Sequence, residues 1–547
     1  MSTPTLMAGL TLGLALAASG PLAQTPPTPP STPTSIDTAM LYRSFVQDAP
    51  DCAVTAQNGK IAFADGIYSP AATCPDAFAW SQFLEAIDQE FWNWGIDQTA
   101  WPAKPLPICT AEVTTNCCPQ DILDNPGTTP NDSCPYNRAA FDPVPPLPVS
   151  PNGTPSGIVV SHRGAHKKTP VEEIDPGRLL RDLEVELVFR NPVMIEDIFK
   201  NDLYSKEGLG ARLRAANAAV SSGDIGTAQA LQVRLSSTAV MVKADFLHQN
   251  ILEGQGLIED TDGDPDTPPN NPDHPYLTVY LEGTEETTGY YYLLAMTNAS
   301  KALPIWHWYA MEHVSNLGRC DYIGCNDSFG YSVDETSPTG AKFGGHYIPP
   351  MQTQQNDKAV TPNGNPNDPI FVTGLVYDPA TYGETMTTAL SSLFDGMGVA
   401  TDPTDSNPRV ISATDPQWRN YRLKGTQTTF TTSTGVPTGL GATITEGGFV
   451  NSASCTTCHA QASTDLDGNP GAGGAIGASW RLNLFGFGQV EMGSPDLNWF
   501  FNPGTSAPYT SVQTDFMWGI LNASCITPGS GDDGACASYP SAPTILD

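Results

Sequence analysis

The chain of 547 residues carries twelve cysteines, and two of them stand in the pentapeptide CTTCH at residues 455–459. No other feature constrains the fold as strongly, because paired thiols tie distant backbone together and unpaired ones call for a ligand. The other ten are Cys52, Cys74, Cys109, Cys117, Cys118, Cys134, Cys320, Cys325, Cys525 and Cys536. An even remainder predicts disulfides, with Cys320–Cys325 and Cys525–Cys536 as local loops, while the pairing among residues 52–134 stays open. A zinc or iron–sulfur site is the competing use, and the adjacency of Cys117 and Cys118 suits four-thiolate ligation poorly.

CTTCH matches the attachment signature of c-type haem, in which two thiols add to the vinyl groups and the adjacent histidine ligates iron. Two intervening residues put both sulfurs on one side of a helical turn, and the next residue carries its imidazole under the porphyrin centre. Cys455 and Cys458 are thus the expected thioether links and His459 the proximal ligand of one covalent haem c. The alternative is a CxxC redox pair, which belongs at the start of a helix after a strand. The preceding EGGFVNSAS shows no apolar strand.

Charge narrows the partners. With 58 acids against 25 bases the net charge is −33, so nucleic acid is excluded as a partner and a redox protein or small molecule is expected. Residues 1–23 read as a secretory signal peptide with an apolar run from Leu6 to Ala18, too short to span a membrane. No Lys or Arg precedes that run, and Pro21 is an unusual residue before the cut after Ala23. A Pro/Thr-rich linker follows at 24–35. No later apolar stretch is long enough for a span, so the mature chain is expected in the periplasm or secreted medium of a bacterium.

The expected fold class is α+β. Residues 36–350 form a mixed region with strands and disulfide-pinned loops, 351–370 is a break, and 371–547 is a mainly helical, cytochrome c-like haem region. Trp80, Phe83, Leu84, Ile87, Phe91 and Trp94 make a helical stripe ended by Gly95. Further helices are predicted near 206–220, 226–236 and 386–397, and strands over 239–247, 276–282 and 290–296. Between the strands, Asp260, Asp262, Asp264 and Asp266 offer Ca2+ hard oxygen ligands at alternate positions. Pro265 and Asn271 depart from the EF-hand pattern, and a solvated acidic turn is the competing reading.

The stretches YRLKGTQTTFTTSTGVPTGLGATITEGGFVNSASCTTCHAQAS (421–463) and ASKALPIWHWYAMEHVSNLGRCDYIGCNDSFGY (299–331) make the chain resemble bacterial c-type cytochromes. More narrowly, it resembles a group of large exported cytochrome c family proteins with a single CxxCH motif. The resemblance implies covalent haem and leaves the reaction open. It departs from small cytochromes c, whose motif lies near the start of a short domain.

A cytochrome tuned for electron transfer closes the second face of the iron with Met or His. Three candidates stand in the sequence. Met492 follows in QVEMGSPD, and Met517 lies in a predicted helix starting at Ser511. His313 sits on a predicted helix from Pro304 to Gly318, sharing a face with Trp306, Tyr309 and Ala310. His307 and Met311 share another face, and a core role competes at each of these positions. The first functional reading is an electron carrier. The second is a haem-dependent peroxidase or oxygenase on a small organic substrate, with His313 and Glu312 or Arg319 as acid/base. A dihaem peroxidase is excluded by the single CxxCH, and GxSxG, P-loop, HExxH and dinucleotide signatures are absent.

Overall fold

A hairpin of β1 (Val54–Gln57) and β2 (Lys60–Phe63) turns through Asn58 and Gly59, both in the left-handed region that an Asn-Gly turn requires. This computed structural model describes residues 48–120, 131–136, 184–332, 347–348, 384–402, 411–469, 494–495 and 500–546, apart from short stretches inside these ranges. The expected signal peptide 1–23, linker 24–35 and break at 351–370 lie outside the described residues.

Helix α1 (Pro75–Asp88) starts on a proline, and the Asp48 carboxylate accepts the backbone N–H groups of Asp76 at 2.7 Å and Ala77 at 3.0 Å. Its predicted stripe of Trp80, Phe83, Leu84 and Ile87 is buried. The helix stops earlier than Gly95, at a left-handed Glu90, and Phe91–Asn93 forms a 3-10 turn. Next come β3 (Gly95–Ile96), β4 (Glu184–Arg190), α2 (Pro192–Lys200), α3 (Lys206–Ser221), β5 (Val240–His248), β6 (Thr278–Leu281), β7 (Gly289–Ser300) and β8 (His307–His313). The chain then provides α4 (Thr388–Met397), β9 (Tyr421–Gln427) and α5 (Cys455–His459).

The strands build one seven-stranded sheet in the order β9-β8-β7-β5-β4-β3, with β6 pairing the first part of β7. All pairs are antiparallel. Alternation divides the sheet into two faces. Val185, Leu187, Phe189, Val242, Ala244, Met296, Tyr309, Met311 and Leu423 face α1, α4 and Trp418 in the largest apolar core. Each fully buried large side chain there contributes roughly 1.5–3 kcal/mol. The opposite face alternates to Glu186, Lys243, Asp245, Thr297, Trp308, Glu312 and Gln427. A second core from α2, α3 and residues 440–523 packs there through Met241, Ala299, Trp308 and Ala310.

Two expectations are corrected. Within the stretch 304–318, read as a helix from its aromatic face, His307–His313 form strand β8 between β7 and β9. Its residues are buried on both sides, so apolar content alone could not separate the two periods, and cross-strand pairing decides. Among its described residues, the C-terminal region 371–547 is not mainly helical. It supplies β9 to the central sheet, and the predicted helix from Ser511 is a two-residue strand Val512–Gln513 followed by a 3-10 turn Trp518–Asn522. The sheet therefore combines strands from both sides of 351–370. Five disulfides are present: Cys52–Cys74, Cys109–Cys117, Cys118–Cys134, Cys320–Cys325 and Cys525–Cys536. Among the described residues no helix is long and apolar enough to cross a membrane.

Candidate haem-attachment site

Helix α5 is a single short turn, too short to hold itself in water. Ser454 caps it, its hydroxyl oxygen accepting the N–H of Thr457 at 3.3 Å. Gln427, at the end of β9, does the rest. Its Oε1 accepts the N–H of Thr456 at 3.0 Å, and its Nε2 donates to Ser454 Oγ at 2.8 Å and to Thr438 Oγ1 at 2.9 Å. Buried at both ends of its amide, this side chain fixes the first helical turn to the sheet edge.

Cys455 and Cys458 are the two cysteines outside the disulfides. Cys455 is buried and its thiol donates to the Leu440 carbonyl at 3.3 Å. Burial, with Glu446 nearby, pushes that thiol well above its ordinary pKa. It stays protonated, the opposite of the activated thiolate that a CxxC exchange site needs. Cys458 is half-buried, and its carbonyl accepts the indole N–H of Trp518 at 3.2 Å.

His459 has its Nδ1 at 2.8 Å from the carbonyl oxygen of Phe516. A carbonyl only accepts, so Nδ1 carries the proton and Nε2 keeps its lone pair, the tautomer an iron ligand through Nε2 requires. Burial of the ring, with Lys243 nearby, pushes its pKa down to about 3, so the imidazole is neutral. The Trp308 ring packs against it with centroids 4.4 Å apart. Two thiols outside the disulfides and a neutral, oriented imidazole on one helical turn fit a covalently attached haem.

The other sequence candidates are placed as follows. His313 does not meet His459: it lies on the face of the sheet opposite Trp308, stacked on Tyr276 at 3.6 Å and edge-on to Tyr421. Glu312 points to the other face and pairs with Lys424 at 3.3 Å, both fully buried, so it and His313 do not converge as an acid/base pair. Arg319 is engaged with Glu384 at 2.7 Å. His307 holds the Pro75 carbonyl at 2.9 Å, a core role. Met517 is buried in the second core, and its carbonyl accepts the Thr514 hydroxyl at 3.0 Å. Met492 lies outside the described residues. Of the four aspartates offered to Ca2+, Asp262, Asp264 and Asp266 also lie outside them, and Asp260 accepts the Gly263 N–H at 2.7 Å.

Sequence reasoning missed Gln427, Trp308, Trp518 and the Phe516 carbonyl. Gln427 and Phe516 act through backbone groups 29 and 57 residues away, which no spacing rule signals. No family model, no curated protein and no solved structure matches the chain.

Proposed function

We propose that the chain is an exported c-type cytochrome that holds one haem covalently and transfers electrons. Cys455 and Cys458 would form the thioether links and His459 would ligate the iron. The bound group supplies a one-electron redox centre. The observation that carries the reading is the His459 Nδ1 hydrogen bond to the Phe516 carbonyl, beside the only two thiols left outside disulfides. That bond fixes the tautomer and raises the basicity of the other nitrogen. Trp308 keeps water from one side of the ring, and Gln427 holds the helical turn in register. Export is supported by five disulfides, which form and persist in oxidising compartments. Electron transfer is favoured over oxygenase or peroxidase chemistry because Glu312 and His313 stand on opposite faces of the sheet and give no acid/base pair.

The test is maturation with a c-haem assembly system, followed by denaturing electrophoresis and optical spectra with and without carbon monoxide. Haem that stays with the denatured chain is expected, lost in a Cys455→Ala/Cys458→Ala variant. Reduced bands indifferent to carbon monoxide are expected as well. A chain that retains no haem overturns the reading, and bands that shift with carbon monoxide replace the electron carrier with a haem enzyme.

A further inference from the structure

The carbonyl that orients His459 belongs to a strained turn. Asp515 has φ 49° and Phe516 φ 68°, both in the left-handed region that costs a side-chain-bearing residue roughly 1–2 kcal/mol. Trp306, at the entry to β8, is the same with φ 66°. Asp tolerates this conformation through its short polar side chain, whereas Phe and Trp have no such compensation. Consecutive residues of this kind persist only where the surroundings over-determine them.

The surroundings are visible. One carboxylate oxygen of Asp515 takes Lys301 Nζ at 2.5 Å and the Trp306 indole N–H at 3.4 Å. The other accepts the Leu235 N–H at 2.7 Å. Lys301 also donates to the Pro304 carbonyl at 2.9 Å, and its own N–H bonds Ala239 at 2.9 Å. The pair is mostly buried, with side chains 13% and 7% exposed. Trp306 in turn leans on Trp308, which touches His459 and the Phe516 ring. The β7–β8 turn and the 515–516 turn are thus clasped around one carboxylate.

We propose that Asp515 and Lys301 are positioning residues for His459: their clasp holds the strained 515–516 turn so that the Phe516 carbonyl keeps its hydrogen bond to Nδ1. The proposal rests on the haem reading above. A hydrogen bond at Nδ1 makes the imidazole a stronger donor and favours ferric over ferrous iron. Without the clasp the turn relaxes toward right-handed backbone, the carbonyl swings away and the donor weakens.

The experiment measures midpoint potential and thermal stability side by side on the haem-loaded chain. Asp515→Ala and Lys301→Met are both expected to raise the potential. Asp515→Asn, which keeps the acceptor for Leu235 and loses the charge, is expected to raise it less. Lys301→Met retains the Asp515–Leu235 bond, so if Asp515→Ala fails to fold, the same comparison is read on Lys301→Met. A variant that melts earlier at an unchanged potential overturns the proposal, since a purely structural clasp would do that. A wild-type chain that attaches no haem fails the haem reading instead, so the two failures are distinct.

Discussion

Asp202 shows how one buried group ties stability to pH. It stands in left-handed backbone just before α3, only 6% exposed, and accepts the Ser205 hydroxyl at 3.0 Å. Burial raises its pKa from 3.8 to about 7. The folded chain therefore binds this proton more tightly than the unfolded one. Its contribution to stability is complete below pH 3.8 and is lost as pH rises toward 7. Asp202→Asn keeps the shape and the left-handed preference and cannot ionise. The variant should gain stability relative to the parent, by a few kcal/mol, as pH rises from 4 to 7. Denaturant midpoints across that range check it, and a constant difference would show that Asp202 does not carry the titration. A lone aspartate in NDLYSKEG gives no sign of such burial, because the segments that enclose it come from elsewhere in the chain.

At the scale of elements, α5 depends on β9. Replacing Gln427 with Leu removes its buried bonds to Thr456, Ser454 and Thr438 and leaves those groups without that partner. Each such loss costs about 1–3 kcal/mol before relaxation, so a total near 3 kcal/mol is expected. Urea unfolding of Gln427→Leu measures it, and a change below about 0.5 kcal/mol would show that Ser454 alone suffices as cap. Legibility differed sharply among elements. Helix α1 was readable because its apolar residues recur at helical spacing, and strands β5 and β7 because they are rich in β-branched and aromatic residues. The 304–318 segment was not, since aromatic residues buried on both sides satisfy helix and strand templates alike. At α5 the cysteine spacing was legible, whereas the anchoring glutamine was not.

Across the whole molecule, disulfides and sheet share the work of closing a chain with long irregular segments. Cys52–Cys74 spans 22 residues and Cys320–Cys325 spans 5. Loop-closure entropy assigns about 3 kcal/mol to the first and about 2 kcal/mol to the second. A Cys52→Ser/Cys74→Ser variant should therefore lose more stability than Cys320→Ser/Cys325→Ser, as read by calorimetry under non-reducing conditions. Equal losses would mean that native strain outweighs chain entropy. Legible from the chain alone is the local chemistry: the CTTCH cysteine spacing, the short-range cysteine pairs, the acidic balance and the helical stripe of α1. Each follows from residues close together in the chain. The tertiary structure alone decided that β8 is a strand, that β9 belongs to the same sheet, that His313 and His459 are kept apart, and that a carbonyl 57 residues beyond His459 sets its tautomer. Those outcomes depend on pairing between distant segments, whose energy comes from burial and register across the sheet and leaves no periodic trace in either segment alone.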